Sequence, residues 1–143
     1  MRLLNAHSVR YLVVGGYAVA MHGHPRYTGD LDIFVDTTNA NASALVDAYR
    51  EFGFDLPGLT PELFTAADNV VRIGVEPVRL EVLTSISGVA FADAYPRRVE
   101  VVLGDITVPF ISYDDLITNK LASGRGKDRV DVEALQKRSK RAP

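Results

Sequence analysis

Asp30 and Asp32 are the residues whose types and spacing first point to chemistry. Two positions apart on a strand, their side chains share one face, and paired carboxylates repel unless cations sit between them. That donor arrangement is what a two-Mg2+ site for phosphoryl transfer requires. The bland reading is a polar strand edge facing water. Leu31, Ile33 and Val35 interleave the acids, and a solvated edge has no need of carboxylates embedded in a core strand, which favours the metal reading. Asp131 and Glu133 repeat the spacing, but in a helical setting those two acids point apart.

Gly15-Gly16 lies upstream, between an apolar run and an alanine-rich segment. Glycines there let backbone N–H groups approach an anion, and a helix N-terminus adds favourable partial charge. A simple tight turn is the other reading, and no G-K-[ST] follows to make a P-loop. Glu81 sits in Val78-Arg79-Leu80-Glu81-Val82-Leu83. It can complete a carboxylate triad as metal ligand or as base for an attacking hydroxyl, or it can pair with Arg79 on its own face. Arg26 can bind phosphate or pair with a surface acid. His22 and His24 lack the spacing and cysteine company of a zinc site. Lys137-Arg138-Ser139-Lys140-Arg141 is either an RNA-phosphate contact or a solvated helix end.

The elements that must position these groups follow from hydrophobic periodicity. A short helix is expected over residues 2–9. Tyr11–Val14 is a continuous apolar run, as in a strand buried on both faces, and a short helix starts at the glycines. Gly23, Pro25 and Gly29 punctuate a loop before the alternating strand from Asp30 to Val35. Thr38 or Asn39 caps a helix to about Phe52. Residues 53–67 are turn-rich and read as a mobile lid or an irregular crossing. Val70–Ile73 pairs with Val78–Leu83 around a turn from Gly74 to Pro77, and Val99–Leu103 with Ile106–Phe110 around Gly104-Asp105. Ser112 and Asp115 form a capping box for a helix to about Ala122. The loop SGRGK and a last helix from Asp128 to about Arg138 follow. One strand–helix–strand unit and two later hairpins imply an α+β fold with a mixed sheet of about five or six strands, not a Rossmann fold.

Composition sets the bounds. The 143 residues fit one domain, with 47% apolar and 24% charged residues, typical of a soluble globular chain. A net charge of −2 does not fit a general nucleic-acid coat or a membrane-surface protein. Cysteine is absent, which excludes disulfides and thiolate metal sites. No apolar run reaches the roughly 20 residues that span a bilayer, and the start lacks a signal-peptide core. A cytoplasmic protein is expected.

Taken in order, Gly15-Gly16, Asp30-Leu31-Asp32 and Glu81 resemble the polymerase-β-like nucleotidyltransferase superfamily. Its pattern is a small-residue pair after the first strand, D-x-[DE] on the second, and a third acid on a later strand. Arg26-Tyr27-Thr28-Gly29-Asp30-Leu31-Asp32 is similar to the R-x-T-x-D-h-D signature of AbiEii-like and related minimal nucleotidyltransferases, some of which are toxins of toxin–antitoxin systems. Leu116 to Ala122, around Lys120, and Lys127 to Asp131 are similar to that group's lysine helix and K-D-x-x-D motif. The resemblance spans nearly the whole chain. It implies that Asp30, Asp32 and Glu81 hold two Mg2+ ions, with Mn2+ as an alternative. Gly15, Gly16, Arg26 and Thr28 would face the nucleotide, Lys120 its phosphates, and Asp128 or Asp131 would orient Lys120 or move a proton. About residues 111–138 would complete the site. An NMP group would pass from a nucleoside triphosphate to a hydroxyl of an RNA end, a protein or a small molecule such as an aminoglycoside, and the shortness of the chain suggests either an open cleft or help from a partner protein. Three features depart from the pattern: Gly16 stands where many members carry Ser, Glu81 replaces Asp, and no separate domain holds an acceptor. The rival reading is a non-catalytic binding module or antitoxin-type partner.

Overall fold

The computed structural model describes residues 1–26, 28–75 and 78–141, without the side chains at 75, 78, 140 and 141. Tyr27, the Glu76-Pro77 turn and the side chains of Lys140 and Arg141, all named above, lie outside that set. In chain order the elements are α1 (Arg2–Ala6), β1 (Tyr11–Val14), α2 (Gly15–Met21), β2 (Asp30–Val35), α3 (Asn39–Phe52) and α4 (Glu62–Thr65). They continue with β3 (Val70–Val75), β4 (Val78–Leu83), α5 (Phe91–Ala94), a 3-10 turn (Tyr95–Arg97), β5 (Val99–Leu103), β6 (Ile106–Phe110), α6 (Tyr113–Ser123) and α7 (Gly126–Arg141).

The six strands form one mixed sheet in the order β3-β4-β2-β1-β6-β5. β1 runs antiparallel to β2 and parallel to β6, and β2 runs parallel to β4. The two sequential hairpins, β3–β4 and β5–β6, are antiparallel. This is the α+β arrangement expected from the strand pattern. All four residues of β1 are buried, which is why the run Tyr11–Val14 has no polar alternation.

Caps fix the helices. The Thr38 hydroxyl accepts a bond from the Asn41 N–H, and Gly53, at φ 112°, ends α3 in the left-handed conformation. Ser112 caps α6 from the Asp115 N–H at 3.2 Å and donates to the Asp115 carboxylate at 3.0 Å. α3 lays Leu45, Val46, Ala48 and Tyr49 into the core. α1 stops at Ala6, short of the end its sequence suggested, because Ser8 turns the chain at φ 56°. The 53–67 segment is an irregular crossing rather than a lid: Leu59 and Phe64 are buried in the core, and α4 forms there. α7 starts at Gly126, two residues earlier than the sequence pattern indicated.

Candidate active site

Three neighbouring strands bring the acids and their arginine partners together. In the parallel β2–β4 pairing, Asp30 lies opposite Arg79 and Asp32 opposite Glu81, and Arg72 of β3 lies opposite Glu81 in turn. Side chains at paired positions share a face, so three carboxylates and two guanidinium groups converge on one side of the sheet. Arg79 grips Asp30 with two parallel hydrogen bonds of 2.8 and 2.9 Å. Arg72 holds Glu81 at 2.7 Å. Arg79, offered by the sequence as the alternative to a metal or base role for Glu81, bonds Asp30 instead, and Arg72 is the arginine that bonds Glu81.

Asp32 is left between them. Its Oδ1 is buried and has no hydrogen-bond partner among the described residues. Burial first, then the neighbouring Glu81 and Asp30 carboxylates, push its pKa up to about 7, against a smaller opposing pull from Lys127. Asp30 moves the other way, because the Arg79 guanidinium favours its ionised form.

Both glycines are explained by what they touch. Gly15 has φ 64°, and a Cβ there would collide with the Asp32 carboxylate. A Cβ on Gly16 would stand 2.6 Å from the Thr28 hydroxyl oxygen and 2.7 Å from its Cβ. Thr28 in turn donates to the Asp30 carbonyl at 3.2 Å. Glycine at 16, in place of the serine many similar sequences carry, is therefore the residue that leaves room for Thr28.

The C-terminal helices add a buried ionic network. Lys120, 4% exposed, donates to Asp128 at 3.0 Å and lies 3.2 Å from Asp131. Asp128 and Asp131 are 0% and 2% exposed. Asp131 also receives the Arg26 fork at 3.0 and 3.1 Å, so Arg26 is spent on a buried acid across the fold rather than displayed toward solvent. Asp128 additionally accepts from Arg125 at 2.8 Å and from the Ser123 hydroxyl. Burial alone would raise the Asp128 carboxyl; the bonds from Arg125, Ser123 and Lys120 outweigh it and hold the group well below the usual carboxylate range.

Gly15, Asp32 and Lys120 line one cleft of about 580 Å³ together with Asp68, Ser85 and Arg125. Of the residues the sequence named, the cleft thus brings together Gly15, Asp32 and Lys120; Glu81 lies opposite Asp32 in the strand pairing, and Asp128 and Asp131 stand behind Lys120 as its ion-pair partners. Asp68 went unnoticed in the sequence. It adopts φ 58° and accepts from the Ser85 hydroxyl at 2.7 Å. Nothing beyond the tolerance of Asp for the left-handed region marks it. His22 bonds the Ile111 carbonyl at 2.7 Å and packs edge-on against Tyr113, a structural histidine.

The residues present are compatible with a divalent cation, because an orphaned buried carboxylate oxygen with a raised pKa is a group lacking its positive partner. Among the described residues, however, no three histidine or carboxylate side chains stand in the closed arrangement of a preformed metal site. Arg79 and Arg72 hold Asp30 and Glu81, so a cation bound there would have to draw those carboxylates toward Asp32.

Comparison with known proteins decides the family. The model of a family described as nucleotidyltransferases of unknown function (DUF6036) matches residues 1–138. The chain belongs to this nucleotidyltransferase family. No curated protein matches. Among solved structures, the crystal structure of a putative nucleotidyltransferase from Thermotoga maritima is similar at a TM-score of 0.59 and 17% identity, over 99% of this chain and 88% of that one. At that identity the likeness speaks to the fold, a nucleotidyltransferase-type α+β sheet. Among the described residues, no helix is long and apolar enough to cross a membrane.

Proposed function

We propose that this nucleotidyltransferase-family protein moves an NMP group from a nucleoside triphosphate to an acceptor hydroxyl, with Asp32 at the centre of the site. The observation that carries this is the Asp32 carboxylate, which lines the Lys120 cleft, lies beside Asp30 and Glu81, and has its buried Oδ1 without a hydrogen-bond partner among the described residues. Asp30, Asp32 and Glu81 are the residues that would hold Mg2+, or Mn2+ in its place. Bound there, the ions supply charge neutralisation for the triphosphate and alignment of its α-phosphate with the acceptor.

The chain's own groups do the rest. Lys120, fixed by Asp128 and Asp131, keeps a cation at the cleft wall without side-chain freedom, so its field is preorganised toward phosphate oxygens. Arg125 at the same wall is largely exposed, and its side chain can swing from Asp128 toward an incoming anion. Glu81, released from Arg72, is placed to take the acceptor hydroxyl's proton. Gly15 offers backbone close to Asp32 and Gly16 backbone close to Thr28, at two positions where a side chain would collide. The AbiEii-like motifs extend the proposal to a cytoplasmic toxin–antitoxin component acting on an RNA end, a protein or a small molecule.

One observation favours a second reading, a nucleotidyltransferase-like binding module. Arg79 and Arg72 already balance two of the three acids, as they would in a protein that never loads metal. Calorimetric titration separates the two. The enzyme reading predicts that Mg2+ plus one NTP binds wild type and that Asp32→Asn abolishes the magnesium-dependent part. Absence of any NTP binding with Mg2+ or Mn2+ favours the module.

A further inference from the structure

Arg26, Lys120, Arg125, Asp128 and Asp131 form one bonded network between the loop before β2 and the last two helices. Three of these side chains are cations and two are anions, so the network holds one cation in surplus. Its members differ in freedom. The Lys120, Asp128 and Asp131 side chains are 5%, 0% and 3% exposed, and charges buried that deeply must be balanced where they lie. The Arg125 side chain is 62% exposed and lines the cleft with Asp32 and Lys120.

Arg26 does not line that cleft. Its fork bonds Asp131 with two hydrogen bonds of 3.0 and 3.1 Å. A bidentate guanidinium–carboxylate pair fixes both partners and neutralises the acid. With Arg26 in place, two cations, Arg26 and Lys120, balance the two acids, Asp128 and Asp131. Arg125 is then the surplus cation, and Asp128 keeps Lys120 and the Ser123 hydroxyl as partners when Arg125 leaves it. Without Arg26, Lys120 alone faces two buried acids, and Arg125 has to stay on Asp128 to balance them.

From this balance we infer that Arg26 is a positioning residue for anion binding: acting through Asp131, it frees Arg125 to meet the phosphate chain of the substrate. The identity of the anion rests on the nucleotidyl-transfer reading. Arg26 itself stays one step removed from the ligand, in place of the direct phosphate contact its motif implied.

The test is a charge rescue, read by calorimetric titration of inorganic tripolyphosphate into the full chain, with and without Mg2+. Arg26→Gln should weaken binding by about tenfold, the scale of one unit charge acting near a polyanion. Asp131→Asn added to it leaves Lys120 balanced by Asp128 and Arg125 again in surplus. Affinity should then return to within about threefold of wild type, the mark of two coupled sites. A purely structural clamp behaves otherwise, since removing its second half does not mend it. Asp131→Asn alone removes an acid and should tighten binding, which keeps the test open should Arg26→Gln not fold. Circular dichroism on each variant checks the fold.

A double variant as weak as Arg26→Gln, no effect of Arg26→Gln, or weaker binding in Asp131→Asn overturns the role of Arg26. Absence of tripolyphosphate binding by wild type under both conditions overturns it too. Nucleotidyl transfer stands or falls separately, by passage of α-label from an NTP. Charge rescue without label transfer would contradict that reading and keep the role of Arg26 at an anion site.

Discussion

Arg79 of β4 and Asp30 of β2 occupy paired register positions and are joined by two parallel hydrogen bonds of 2.8 and 2.9 Å. The pair sets the resting state of the carboxylate cluster: the first acid of the D-x-D motif is neutralised by an arginine, and the buried Oδ1 of the second has no hydrogen-bond partner among the described residues.

Arg79→Gln removes that neutralisation. Asp30 then repels Asp32 and Glu81, so the metal-free variant should melt lower. Solvent screens a partly exposed pair of this kind, so the drop should be a few degrees at most. Mg2+ should raise the variant's midpoint more than the wild type's. Thermal melts in chelator and in Mg2+ measure both; equal Mg2+ responses contradict the competition between Arg79 and the cation.

The raised pKa of Asp32 makes a pH signature in metal-free protein. The folded state keeps this proton until pH about 7, whereas the unfolded chain releases it near the usual carboxylate value of about 4. Stability from the protonated form is therefore full below about pH 4 and lost as pH rises to about 7. The difference between wild-type and Asp32→Asn melting temperatures across that window isolates the group. Asp32→Asn should hold its stability better at neutral pH, and parallel curves would contradict the burial argument.

Lys120→Met should be costly. It leaves Asp128 and Asp131 buried with one cation fewer, and breaking a buried pair costs about 3–5 kcal/mol. Urea unfolding monitored by circular dichroism reads the loss. Arg125 and Arg26 remain on the two acids, so the variant should fold, with the midpoint shifted and the transition still cooperative. A loss below about 1 kcal/mol would mean that Lys120 is not held as a buried ion.

Gly16→Ala tests the steric account of the glycine pair. The new methyl meets Thr28, and overpacking of that kind costs about 1–3 kcal/mol. Thr28→Gly in the same chain should recover most of the loss, so a double-mutant cycle should show strong coupling. Additive effects would place the strain elsewhere.

Much of the fold was legible because its signals are local. Tyr11–Val14 is apolar at every position because both its faces are buried, and Ser112 with Asp115 forms the capping box its spacing announces. Glu81 was found as an acid in an apolar strand, but its partner was not. Arg72 and Arg79 are both arginines of apolar strands, and only the β3–β4 register selects Arg72. The Arg26–Asp131 clamp joins residues far apart in sequence and has no periodic signature. The reason for Gly16 depends on Thr28 returning beside α2 after a loop, a tertiary fact.

The central claim is tested most directly with nucleoside triphosphates labelled at the α-phosphate, or at the γ-phosphate as control, incubated with the protein, Mg2+ and a cell lysate. The account predicts that α-label, and not γ-label, passes to a macromolecule or small acceptor with release of pyrophosphate, and that Asp32→Asn stops it. Failure of transfer from all four NTPs with Mg2+ and Mn2+, or transfer that survives Asp32→Asn, would contradict it.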